Sequence, residues 1–455
     1  MIVSEKNTLK RSLGLWAIVG LGLGYMTPTV VFDTFGIVSE ETNGVVPLAY
    51  LAALVVMLFT AISYGKMVNV FPSAGSAYTY TRETMNPYLG FMVGWAALLD
   101  YLLLPMVNAL IIRIYMVSIF PDAPAWIWVV GYVVIITAIN LWSMNSTSNL
   151  NSLLVIFEIV LIAVFLVLAF VKFTQGMGQG TILTTEPLFH SNVHFSAILT
   201  GATVVCFSFI GFDAVTMYTE EAVDQKTMPR AIILTALIGG CIFFIASYFA
   251  QALFPDVSHF KMTDDTLPEI GLYVGGTVFK LIFIAGAFAA TVASGLASHA
   301  SVSRLLYVMG RNGVLPRKFF GYIHPRFRTP AFNVVLVGVV SLLAISPSLE
   351  LISSVINFGA LIAFTFVNLS VIAHFVFRKK RYKTTKDLFS YLIMPLIGAG
   401  LTGILWYNLQ GDALIGGLVW SAVGFIYMLF LTKFFRTKIS HFEFEKADVP
   451  TELNG

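Results

Sequence analysis

Apolar stretches of roughly 20 residues or more follow one another along most of the chain, separated by short polar connections. A hydropathy window of about 19 residues places them at 15–38, 44–68, 88–118, 124–144, 151–172, 196–218, 229–254, 275–303, 331–346, 351–376, 388–408 and 413–435. The pattern predicts an all-α polytopic membrane protein with twelve transmembrane helices. Two connections are longer, about 173–194 with the glycine-rich GMGQG and about 255–274, both predicted on the outside. GMGQG has no Lys-Ser/Thr after it and no basic helix behind it, so it reads as a flexible loop and not a phosphate cradle. With no Pro/Gly/Ser linker, residues 1–437 read as one domain and 438–455 as a polar tail. The first span lacks a small-residue cleavage site and is too long for a signal peptide, so it is expected to be retained.

Two spans depart from the rest. The first, GLWAIVGLGLGYMTPTVVFDTFG, carries Gly20, Gly22, Gly24 and Pro28 in mid-span with Asp33 beyond them. The sixth, GATVVCFSFIGFDAVTMY, carries Gly211 and Asp213 in its second half. Segments five spans apart run in opposite directions, as expected of an inverted repeat made of about 15–172 and 196–376, with two further spans at 388–435. Interrupted segments at matching places in two halves point to a transporter's midplane site. The alternative for each span alone is that its glycines let helices pack closely.

Composition sharpens the class. The chain of 455 residues is 57% hydrophobic and only 11% charged, with mean hydropathy +0.84. Soluble domains carry about a quarter charged residues, so an ordinary soluble fold is excluded. Placing the N-terminus inside puts 23 of the 27 Lys and Arg in cytoplasmic segments, including the clusters Arg304–Arg328 and Arg378–Lys386. The positive-inside rule therefore predicts cytoplasmic termini and a cell-membrane location. Cys206 and Cys241 lie within apolar spans, so neither a disulfide framework nor a metal site is expected. No HExxH, Cys-x-x-Cys, Walker lysine or GxSxG occurs, which points away from an enzyme, a cofactor or nucleotide hydrolysis. Nothing suggests a nucleic-acid partner.

The intramembrane carboxylates are Asp33, Asp100, Glu158 and Asp213, with Glu220 and Glu221 at the rim of span six. A charge at mid-bilayer costs about 2.5–3.5 kcal/mol on insertion scales, so each should face the interior and meet a partner. The spans offer almost no basic side chains, only Arg113 and Lys280 near their outer ends. The missing positive charge is then a cationic cargo or a proton. Tyr25, Tyr101, Phe207, Phe209 and Phe212 lie beside these carboxylates, and aromatic faces attract ammonium groups by about 0.5–2 kcal/mol. Glu158, alone in its span until Lys172, has two open readings: a proton-binding switch, or a structural group bonded across helices. His299, in ASGLASHASVSR, reads as a packing residue.

The segment GFDAVTMYTEEAVDQKTMPRAI resembles the sixth-span signature of the amino acid–polyamine–organocation transporters. The segments VFDTFGIVS, FTAISYGK, FPSAGSAYTYT, GFMVGWAALLDYLLLPM, ASGLASHASVSRLLYVMGR and INFGALIAFTFVNLSV resemble the bacterial putrescine importers of that superfamily. The resemblance implies a LeuT-like 5+5 inverted repeat with broken helices 1 and 6, and proton symport of a small polyamine, putrescine first, by alternating access. It places Tyr25, Thr27, Thr29, Phe207, Phe209, Gly211, Asp213 and Tyr101 around the cargo, with Asp33 and Asp100 as further candidates. It gives Glu220 and Glu221 a gating or structural role. One departure matters. Amino-acid members carry a Gly-small-Gly triplet in span one whose free N–H groups hold the substrate carboxylate. Here Pro28-Thr29-Val30 stands in that place, and proline has no N–H to offer. A diamine has no carboxylate to hold. Asp213 keeps two readings, direct contact with the cargo or orientation of the broken helix. The rival within the superfamily is an amino-acid permease or exchanger.

Overall fold

The computed structural model describes residues 13–436, apart from 73–75, 143–147, 181–183, 190–192, 220–221, 225, 256, 262, 265, 312–314, 326 and 328. Eleven helices among the described residues are long and apolar enough to cross a membrane. The segment expected as the ninth span is shorter, an α-helix Ala331–Ser341 continued by a 3-10 turn Leu342–Ile345. The chain is therefore a multi-pass membrane protein.

Burial ranks the spans. In spans one (Leu15–Asp33) and six (Phe195–Tyr218), 67% of the apolar window is buried, against 28% in spans four (Ala125–Trp142) and eleven (Thr385–Tyr407) and 17% in span twelve (Gly411–Leu431). The two glycine-interrupted segments are thus central, and the uniformly apolar ones face outward, where lipid would solvate them. Close packing explains part of the glycine content. A Cβ on Gly22 would stand 2.6 Å from a Val215 methyl and 2.7 Å from a Thr235 methyl, so span one lies directly against spans six and seven there.

Span three (Pro87–Ile119) begins at an Asn86 cap whose side chain accepts the Tyr88 N–H at 2.8 Å. It carries Pro105 inside the helix. Proline has no N–H, so the Tyr101 carbonyl one turn earlier loses its intrahelical donor. Span seven (Thr227–Leu253) is preceded by Asp224, whose carboxylate accepts the Thr227 N–H at 2.8 Å. That bond holds the Asp224 carboxyl below the usual aspartate range.

The stretch 255–274, expected to be an outer loop, is partly helical. One long helix runs Thr266–Arg311, with Gly276 at φ 68° and ψ −168° marking a bend between a short outer piece and span eight proper. The GMGQG glycines Gly176, Gly178 and Gly180 all take left-handed φ. This loop is docked on the end of span seven, where the Gln179 N–H donates to the Ala252 carbonyl at 3.1 Å.

Candidate functional site

Span one breaks after Met26. Thr27 turns left-handed at φ 51°, Pro28 and Thr29 form a turn, and helix resumes over Val30–Asp33 and Phe35–Thr42. Span six breaks after Phe209, passes Gly211 at φ 131°, and continues as a 3-10 helix Ala214–Tyr218. The breaks touch. A Cβ on Gly211 would lie 2.9 Å from the Met26 nitrogen and 3.0 Å from the Tyr25 Cβ, so glycine serves both a forbidden φ and a close backbone approach.

A broken helix in hydrocarbon exposes backbone groups that need internal partners. Glu158, 1% exposed on span five (Ser148–Thr174), accepts both the Thr29 N–H and the Thr29 hydroxyl at 3.1 Å. Two further N–H groups at the span-one break are engaged within the chain, Thr27 N–H on the Leu23 carbonyl at 3.0 Å and Val30 N–H on the Thr27 carbonyl at 2.9 Å. In span six the Gly211 N–H donates to Asp213 Oδ1 at 3.3 Å. Asp213 thus accepts from the backbone of the broken helix, and it also lines the cavity described next.

That cavity, of about 70 Å³, is bounded by Tyr64, Trp95, Asp100, Tyr101, Asp213 and Leu305 among others. Asp100 Oδ1 and the Tyr101 hydroxyl are buried and have no hydrogen-bond partner among the described residues. Span ten (Leu349–Val371) presses on this turn of span three, since a Cβ on Gly359 would collide with the Ala96 carbonyl. A second space of about 20 Å³ is lined by Tyr25, Thr27, Asp33, Asn108, Phe207 and Thr291, with others. Here both Asp33 carboxylate oxygens accept from the Tyr115 hydroxyl, at 2.9 and 3.1 Å.

The sequence candidates thus divide into groups. Asp100, Tyr101 and Asp213 meet in the larger cavity, while Tyr25, Thr27, Asp33 and Phe207 line the smaller one. Thr29 belongs to Glu158, and Gly211 to the junction of the breaks. Phe209 lines neither cavity; it packs on Tyr50 and Phe243 at 6.5 and 5.5 Å between ring centroids. Glu220 and Glu221 lie outside the described residues. His299 is a packing residue, its Nε2 at 2.9 Å from the Val334 carbonyl. Arg113 is no partner for the central carboxylates, because it donates to the Ala344, Ile345 and Pro347 carbonyls at the end of the Ala331–Ile345 segment.

Sequence reasoning missed Tyr115, Tyr64, Asn108 and Thr291. Tyr115 follows Tyr101 by about four helical turns on the same span, which puts both phenols on one face. That spacing could have found it.

These features define a polytopic membrane protein whose two central helices break against each other beside a buried, carboxylate-lined cavity. The chain belongs to the amino acid permease family, which it matches over residues 17–438. It is 50% identical over 441 residues to the low-affinity putrescine importer PlaP of Escherichia coli K12, covering 97% of this chain and 98% of that protein. It is 26% identical over 459 residues to a methylthioribose transporter of Bacillus subtilis, with 94% and 95% covered. A branched-chain amino acid permease of the same organism, BcaP, is 25% identical over 459 residues, again with 94% and 95% covered.

Proposed function

We propose that the chain is a secondary active importer of a small polyamine, putrescine first, working by proton symport and alternating access. The observation that carries this is the pair of unpartnered buried polar atoms, Asp100 Oδ1 and the Tyr101 hydroxyl, facing one cavity with Asp213. Burying carboxylates without a cation is costly, so the site favours a cationic cargo that supplies the missing charge. The putrescine importer with half its residues in common supports the same cargo. The span-one break supports a diamine over an amino acid. With the Thr29 and Val30 N–H groups engaged and Pro28 lacking one, the Pro28-Thr29-Val30 triplet offers no free N–H to a substrate carboxylate.

In this reading the Ala331–Ile345 segment is the ninth of twelve spans, and spans one to five and six to ten form a LeuT-like inverted repeat. The Lys/Arg distribution supports cytoplasmic termini and a cell-membrane location. Glu158 is the candidate coupling group, because a proton arriving there would compete with the Thr29 donors and loosen the break in span one. Glu220 and Glu221 are assigned to gating or structural ion pairs.

The test is uptake of labelled putrescine into liposomes holding the purified protein, with and without an inward proton gradient. Cadaverine, spermidine, arginine and ornithine serve as competitors. Saturable, gradient-dependent uptake that arginine and ornithine leave untouched is expected. Accumulation of arginine or another amino acid in place of putrescine would make the protein an amino-acid permease instead.

A further inference from the structure

Trp95 forms part of the wall of the Asp100 cavity, five residues before the carboxylate on span three. Its indole N–H donates to the Trp420 carbonyl at 2.9 Å, and the Trp420 indole N–H donates back to the Trp95 carbonyl at 2.7 Å. The two rings stack with centroids 5.0 Å apart at 21°. Phe91 lies near-parallel to Trp95 at 6.0 Å, and Tyr427 lies at 5.7 Å. Gly424, one turn beyond Trp420, makes room for this stack, because a Cβ there would overlap the Trp95 ring.

An indole N–H buried in an apolar bundle needs an acceptor, and each of these helices lends the other one carbonyl. The arrangement tolerates little movement. Turning either helix by one residue, about 100°, would break both bonds and unstack the rings. Span twelve is otherwise little buried, with 17% of its apolar window covered.

We propose that Trp420 is a positioning residue for cargo binding: span twelve, through Trp420 and Gly424, fixes the Trp95 wall of the cavity that holds the amine. The inference rests on the reading of the Asp100 cavity as the cargo site. It gives span twelve, which lies outside the two repeats, a part in recognition.

The test compares Trp420→Phe, which keeps a ring and loses the N–H, with Gly424→Ala, which pushes on Trp95 from a separate direction. Gly416→Ala on the same span is the control, since its nearest neighbour is a Val355 methyl at 3.8 Å. KM and the maximal rate for putrescine, and the rate ratio of putrescine to cadaverine, are measured in liposomes at equal protein content. Loss of one hydrogen bond should raise KM about three- to tenfold. In Trp420→Phe and Gly424→Ala alike, the maximal rate should stay within about twofold while the preference between the two diamines weakens. Unchanged KM and unchanged preference in both variants would overturn the proposal, as would a fall in maximal rate alone. Asp100→Asn in the same series separates the two layers. If it raises KM and the span-twelve variants do not, only the role of Trp420 fails. If it leaves KM unchanged, the cavity is not the cargo site and both readings fail.

Discussion

Asp100→Asn should make the protein easier to fold and worse at its task. Asp100 is buried, its Oδ1 meets no donor among the described residues, and a second carboxyl group, Asp213, lines the same cavity. An uncompensated polar group of this kind costs about 1–3 kcal/mol, more when charged, and replacing the carboxylate with an amide removes the charge in nearly the same volume. The melting temperature of the purified variant in detergent should therefore hold or rise. Binding should move the other way. An ammonium at about 4 Å from a carboxylate gains roughly 4 kcal/mol at an effective dielectric constant near 20. Losing it would weaken Kd by several hundredfold, since each 1.4 kcal/mol is tenfold. Two assays on one preparation suffice, thermal unfolding followed by tryptophan fluorescence and binding of labelled putrescine in the same detergent. A variant that melts several degrees lower would show that Asp100 has an internal partner. Unchanged putrescine affinity would show that the cargo does not meet this carboxylate. Either result refutes the reasoning.

Three further expectations concern the breaks and the start of span seven. Glu158→Gln keeps one oxygen for the Thr29 donors, so the protein should fold and still exchange putrescine while losing gradient-driven accumulation; full accumulation would remove Glu158 from coupling. Glu158→Ala strands both donors at about 1–3 kcal/mol each and should lower thermal stability as well. Gly211→Ala combines a strained φ with a collision against Met26 and Tyr25 and should cost at least about 1–3 kcal/mol and stop uptake, while Gly131→Ala, with open space around it, should change neither stability nor uptake. Asp224 has a depressed carboxyl, so its support of span seven is present above the ordinary aspartate range near 3.9 and is lost as pH falls through its lower folded value. Melting curves from about pH 6 to pH 3 should show less acid sensitivity in Asp224→Asn than in the parent.

The positions of the spans were legible because twenty apolar residues in a row leave little else for a chain to do. The two breaks were legible because Pro28 and Gly211 are poor helix residues set in otherwise apolar runs. The outer helix starting at Thr266 was not. It is a short piece carrying Glu269 and Gly271, with no length signal, and the turn at Gly276 that separates it from span eight depends on a φ that no pattern reports. The grouping of carboxylates was hidden for a different reason. Which way a side chain points depends on helix rotation, and residues two apart on a helix point about 200° apart. Phe207 accordingly lines a cavity while Phe209 enters the core, although both stood beside the same signature. Asp33 and Asp100 looked equivalent, yet only Asp33 meets the Tyr115 phenol. The Trp95–Trp420 pair joins residues 325 positions apart and leaves no local trace.

Before span one, the Leu13 carbonyl accepts the Val223 N–H at 3.1 Å, and Leu13 forms a parallel β-bridge with Ala222 just past span six. Thr29 in the same span waits on Glu158, 129 residues later, and Met26 on Gly211. A ribosome delivers the first span to the membrane long before any of these partners exists. During that interval its broken middle has unmet backbone groups in a medium that offers them nothing. Span one is thus synthesised first and completed only after the sixth has emerged, which makes the first half of the chain an unfinished intermediate during its own translation. A chain halted before residue 223 would hold its opening helix without the backbone segment that anchors its start.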